Sequence, residues 1–247
     1  MATTHLRSAL TWTAGALGVA AGAFAGYATV TWLRYGHAAP ATAGSVDPLL
    51  DQFMPAYDVV ERHHIDVAAP ADITYAAACA QDLMAGPLVR GIFRAREVLL
   101  GSEPDTGTHP RGLLAMMKSI GWGVLAEVPG REIVMGAVTQ PWKANVVFRP
   151  LPPDRFLAFD DPDYVKIVWT LRADPIGEKA SIFRTETRVV ATNAAARAKF
   201  RRYWSFLSPG INLIRWASLK PLKAAAEQRA QLGTLAAPEA RQGIDHN

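Results

Sequence analysis

The order of elements in this 247-residue chain predicts an α+β domain behind one apolar N-terminal helix. Three observations lead there. Residues 8–33 contain no charged side chain. Between residues 57 and 191, short alternating runs and turn signals outline antiparallel strands, with helical stretches after the first of them. Beyond Asn193, apolar residues recur at helical spacing far longer than any strand would allow.

An α-helix rises about 1.5 Å per residue, and about 20 residues cross a bilayer core of about 30 Å, so residues 8–33 are long enough to span one. Trp12 lies near one end, and Tyr27, Trp32 and Tyr35 near the other, where aromatic rings favour the headgroup level. Residues 1–35 therefore read as a single-pass anchor. Residues 36–56, with Pro40, Gly44 and Pro55, read as a linker with one helical turn around Leu49 and Phe53. Two alternatives stay open. One is a cleaved signal peptide with Ala41-Thr42-Ala43 as its small-residue site, although the run is long for a signal and Arg34 intervenes. The other is a helix buried in a core. Arg7 and Arg34 flank the run almost symmetrically, a near-tie tipped toward a soluble domain on the cytoplasmic side. Gly18, Gly22 and Gly26 recur every four residues. That spacing lets two helices approach in a homodimer, and it also arises by chance in an Ala/Gly-rich helix.

The domain proper is expected over residues 57–231. Residues 57–67 form the first strand, with Val59, Ile65 and Val67 on one parity and Arg62, His64 and Asp66 on the other. Pro70 and Asp72 suit a helix start, since the ring presets φ and the carboxylate complements the helix dipole. A second helix is expected at 87–100 and a short third at 113–120. Strands follow at 122–128 and 132–139, joined by Pro129-Gly130, then at 144–148, 164–173 and 181–191. Residues 151–162 read as irregular and 174–179 as a hairpin loop. Thr192 and Asn193 can cap the last helix. Pro209-Gly210 should kink or break it, because proline removes an amide donor and clashes with the preceding turn. Residues 232–247 read as a disordered tail.

Composition narrows the chemistry. The formal charge is +4, a mild excess that suits a negative partner surface. A single cysteine, Cys79, excludes an intramolecular disulfide and a Cys-rich zinc site, and reads as a buried small residue. No run of Lys and Arg and no zinc-finger spacing points to nucleic acid. No G-x-S-x-G, Walker A or G-x-G-x-x-G pattern points to a serine hydrolase, an ATPase or a dinucleotide cofactor. His63 and His64 are neighbours on a strand and point to opposite faces, so they cannot readily share one metal. Asp160, Asp161 and Asp163 lack the alternation and terminal Glu of a calcium loop. No metal site and no cofactor are expected.

The segment His64-Ile65-Asp66-Val67-Ala68-Ala69-Pro70-Ala71-Asp72-Ile73-Thr74-Tyr75, together with Thr185-Glu186-Thr187-Arg188-Val189 before the last helix, resembles the START-like (SRPBCC) superfamily. That group includes polyketide cyclases, lipid-transfer domains and Bet v 1-like proteins. The resemblance runs from Tyr57 to about Ala230. It implies a helix-grip fold, in which a curved antiparallel sheet wraps the C-terminal helix around a cavity that often holds a lipid, sterol or polyketide. The N-terminal apolar helix and the long loop at 101–110 depart from a minimal member.

On that basis the expected function is binding of a hydrophobic small molecule or lipid. Trp122, Trp142, Trp169, Phe200, Tyr203, Trp204 and Leu207 are the candidate ligand-contacting residues, since apolar sites use aromatic walls with few polar anchors. Ordinary core packing explains most of them. Arg197, Arg201 and Arg202 form a basic flank suited to anionic headgroups. A cyclase- or dehydrase-like enzyme is the alternative. His63, which shares parity with Ile65 and Val67, and Glu186, which shares a strand face with Arg188, are its acid–base candidates. A structural role is the bland reading of both. A scaffold with a filled core is the third.

Overall fold

The computed structural model describes residues 2–104, 107 and 109–242; residues 243–247, part of the expected tail, lie outside them. Its centre is a five-stranded antiparallel sheet: β1 (Val59–Val67), β2 (Gly123–Val128), β3 (Glu132–Thr139), β4 (Val165–Gly177) and β5 (Ala180–Ala191), in the order β1-β5-β4-β3-β2. Strands β2 to β5 form a meander. The first strand pairs with the last, from Val59 opposite Val189 to Val67 opposite Ser181, so the chain must cross the sheet between β1 and β2. It crosses through α3 (Ala71–Ala80), α4 (Pro87–Leu100) and α5 (Leu113–Ser119). Pro87 opens α4 and Gly101, at φ 64°, closes it in the left-handed conformation that glycine tolerates best.

The inner face packs on α3 and on α7 (Ala194–Gln242), which begins where Asn193 Oδ1 accepts the Ala196 amide at 2.8 Å. Two apolar clusters lie beneath these helices. One joins Trp122, Met135, Trp169, Leu171 and Phe183 to Tyr75, Leu219 and Leu222. The other joins Val59, Val165 and Val189 to Tyr35, Phe200 and Trp204. The outer face is covered too. Leu50, Phe53 and Met54, in and after α2 (Pro48–Asp51), and Phe156 of α6 (Pro153–Ala158) pack on Leu125, Val134, Val138 and Val168. Every residue of β3 is consequently buried.

The expected transmembrane helix and single-pass location require correction: among the described residues no helix is long and apolar enough to cross a membrane. Helix α1 (Ala2–Arg34) instead lies along α7. Phe24 meets Phe206 with ring centroids 6.3 Å apart. The Tyr27 hydroxyl is 3.1 Å from Ser208 Oγ. The Arg201 guanidinium stacks over the Trp32 ring and donates to the Trp32 carbonyl at 2.7 Å. Tyr35 then drops into the second apolar cluster. Gly18, Gly22 and Gly26 face open space, with nothing within 4 Å of where a Cβ would stand.

Other elements differ for identifiable reasons. Residues 144–148 form no strand. Val147 is exposed and only Val138 and Arg149 form a bridge, while Phe148 turns in to stack on Trp122 at 5.0 Å. Gly121, at φ 103°, sits so close to the Phe148 carbonyl that a side chain there would collide with it. The hairpin between β4 and β5 is tighter than expected, because Asp174 is held inside the ladder by Arg172 at 2.7 Å and Arg184 at 3.0 Å. Residues 153–158 are helical rather than irregular. Neither Pro209-Gly210 nor Pro221 breaks α7, which continues through Gln242, past the point where a tail was expected. The helix is clasped by α1, α4 and the sheet. Gly210 is where Ile92 of α4 presses in, and an added Cβ would meet it at 3.0 Å.

Phe200 is 1 % exposed and joins Tyr35, Tyr203 and Trp204. Phe200→Ala should lower stability by about 3–5 kcal/mol in urea denaturation, the range for a large aromatic lost from a packed core.

Candidate functional site

Between the two inner clusters, β1, β5 and α7 enclose a band of polar side chains. Glu61 and His63 alternate on the inward parity of β1, opposite Thr187 and Thr185 of β5. Arg215 of α7 spans the pair of threonines, donating to Thr185 Oγ1 at 3.1 Å and Thr187 Oγ1 at 2.9 Å. Its guanidinium lies 5.6 Å from the centre of the Trp169 ring. Asn212, one turn earlier, donates to Glu61 Oε1 and to the Tyr27 hydroxyl, each at 3.3 Å. Arg215 and Glu61 form no ion pair, although the carboxylate's field reaches the guanidinium.

Burial governs the protonation of this band. It lowers Arg215 to about 10, against the supporting field of Glu61. It raises the Glu61 carboxyl above the ordinary carboxylate range, while Asn212 and Arg215 oppose the shift. It lowers the His63 imidazole, and the charges of Arg215 and His64 act in the same direction. Two buried atoms of the band, His63 Nε2 and Asn212 Oδ1, have no hydrogen-bond partner among the described residues. Buried polar groups are normally paired, so such a coincidence marks a place where something else can bind.

The band opens to a groove of about 340 Å3 along the edge strand β1 and α7. Its apolar wall is Ile65, Leu219 and the exposed ring of Trp216. Its polar lining is His63, His64, Arg62 and Lys220. That volume is at the small end of the range of about 300–1,000 Å3 common for small-molecule sites.

Of the residues singled out from sequence, His63 lines the groove and Trp169 lies behind it, beneath Arg215. Trp122 sits in the first cluster, its ring 5.9 Å from that of Trp169. Phe200, Tyr203 and Trp204 stack on one another in the second cluster, against which Trp142 packs under Lys199. Leu207 is half-buried further along α7. The basic flank is largely engaged, Arg197 by Asp58 and Arg201 by Trp32. Arg215, Asn212 and Glu61 were missed. The spacing Ile211, Arg215, Leu219, Leu222 puts Arg215 on the stripe that α7 packs against the sheet.

Glu186 occupies the opposite face. It binds Arg62 Nε at 3.0 Å and Arg188 Nε at 2.7 Å. Arg188, 1 % exposed, also donates to Asp51 Oδ1 at 2.6 Å and to the Met54 carbonyl at 2.7 Å, and lies over the Tyr57 ring. This arrangement fastens α2 to the sheet. Nearby, burial and then the hydrogen bond and charge of Asp47 push the Glu132 carboxyl up to about 8, against Arg172.

A meander of four antiparallel strands, a first strand returned to the side of the last, helices in the crossover and a long C-terminal helix across the inner face make a helix-grip fold, the architecture that the sequence resemblance implies. Norcoclaurine synthase from Thalictrum flavum, a point mutant with a transition-state analogue, aligns with 69% of this chain and 95% of its own at 10% identity, with a TM-score of 0.31. An aromatase/cyclase from a Streptomyces species aligns with 69% of this chain and 94% of its own at 14% identity and a TM-score of 0.27. A Chromobacterium violaceum protein aligns with 63% of this chain and 96% of its own at 15% identity and a TM-score of 0.25. Likeness at this level carries no argument about activity. No family model and no curated protein matches the chain.

Two outcomes test the outer-face network. Arg188→Ala leaves buried Glu186 with Arg62 alone and should cost about 3–5 kcal/mol in chemical denaturation. The folded Glu132 carboxyl titrates above its unfolded value of 4.5, so the folded state binds the extra proton between there and about 8. Stability from this group is full below pH 4.5 and lost as pH rises through about 8. Glu132→Gln, which keeps a donor for Asp47, should flatten that decline in thermal melts recorded across the interval.

Proposed function

We propose that this chain binds a hydrophobic small molecule or single lipid in the groove between β1 and α7. The observation that carries the reading is the pair of unsatisfied buried atoms, His63 Nε2 and Asn212 Oδ1, in a polar band beside an apolar wall. An apolar body would cover Ile65, Leu219 and Trp216 while an accepting oxygen at its polar end took a hydrogen bond from His63 Nε2. Each unmade buried hydrogen bond costs about 1–3 kcal/mol, so satisfying them favours a ligand with a polar end over a pure hydrocarbon.

A cyclase-like reaction in the same groove is the second reading. Glu61 and His63 share a strand face and their environments push them in opposite directions, the carboxyl up and the imidazole down, as in many acid–base pairs. His63→Ala should then keep ligand uptake and lose turnover.

Native mass spectrometry of the full chain, purified gently, should show one bound small molecule per protein, recoverable by extraction. Trp216→Ala, at a ring already 61% exposed, should lose that ligand while the melting temperature stays close to the parent's. An empty chain that also fails to take up the neutral dye Nile red would overturn the binding reading in favour of a filled scaffold.

A further inference from the structure

Given the binding reading above, we infer that the ligand is an anion: an apolar tail carrying a carboxylate, with the head directed at His63 and Arg215. The groove's polar lining is entirely basic, with Lys220 and His64 at its rim, Arg62 at the strand edge and His63 within. No carboxylate lines it. Arg62 is already committed, to Glu186 at 3.0 Å and to the Tyr57 hydroxyl at 2.7 Å. Lys220 rests over the Trp216 ring, 5.9 Å from its centre, without a carboxylate of its own among the described residues.

Behind His63 stands a positive charge, Arg215. Arg215 is held by two neutral hydroxyls and an aromatic face rather than by an ion pair. By contrast Arg188, buried within the sheet, is neutralised by Glu186 and Asp51, and Arg172 by Asp174. A buried guanidinium without a counter-ion is costly, and a ligand carboxylate is the planar, two-oxygen acceptor that fits it best. Glu61 does not fill that role, because Asn212 binds its carboxyl instead. A cationic head would meet Lys220 and Arg215 together and be repelled.

The test compares octanoate with octanol, which share the tail and differ in the charged head, as competitors of Nile red on the full chain at pH 7 and low ionic strength. Octanoate should bind at least about tenfold more tightly, as expected for a charge-assisted contact in a partly desolvated site. Arg215→Gln should bring octanoate to the level of octanol, Arg215→Lys should retain part of the preference, and Lys220→Gln should weaken octanoate alone. If Arg215→Gln does not fold, the parent pair and Lys220→Gln decide the matter. Equal binding of octanoate and octanol would overturn the anion assignment and leave the binding reading standing. A preference that survives both Arg215→Gln and Lys220→Gln would also overturn it. No uptake of Nile red or of either competitor would instead fail the binding reading itself, and the assignment with it.

Discussion

Both faces of the sheet are apolar at its centre, and everything else in the molecule follows from the need to cover them. Met135 and Ile133 point toward α3 and α7, while Val134 and Val138 of the same strand point toward α2 and α6. A strand buried on two sides cannot be left with one layer of helix. The segment before β1 must therefore travel around the sheet edge and lie on the far face. It is fixed there by Arg188, whose donors reach Asp51 and the Met54 carbonyl from within the sheet. The long terminal helix closes the other side. The domain is thus a three-layer arrangement, with helices on both faces of one sheet.

Against that apolar background the band under α7 is an exception. Glu61, His63, Asn212 and Arg215 interrupt what would otherwise be one continuous apolar interior, and they do so where β1 forms the sheet's free edge. Polar groups placed in an interior lower stability unless each finds a partner, and here two atoms do not. The outer-face network is larger and carries more charge, yet its arginines are matched by carboxylates and carbonyls. That face has an orphan of its own, Glu132 Oε1, so what sets the inner band apart is a guanidinium without an ion pair beside a groove.

The strands and the crossover helices were legible because alternation and turn residues are local properties: Pro129-Gly130 and the run Glu132–Thr139 need no tertiary information. What escaped depends on neighbours distant in sequence. Pro209 reads as a helix breaker until α1, α4 and the sheet are seen to hold α7 on several sides. Residues 8–33 are apolar enough to suggest a bilayer, since composition alone does not distinguish lipid from a helix partner such as Phe206 or Ser208. The candidate site divides the same way. The inward parity of His63 follows from the period of a strand. The significance of Arg215 follows only from its bonding to threonine hydroxyls rather than to an acid, which no spacing reveals.

The docking of α1 has a practical corollary for anyone who trims this protein to its apparent core. The Tyr27 hydroxyl stands over Ser208 and Asn212, and Tyr35 fills the space beside Phe200 and Asp58. A version starting at β1 would keep all five strands and the long helix. It would nonetheless strip the roof from the polar chamber and open a slot beside Phe200, so it would report on the solvation of a wound rather than on the recognition of a guest.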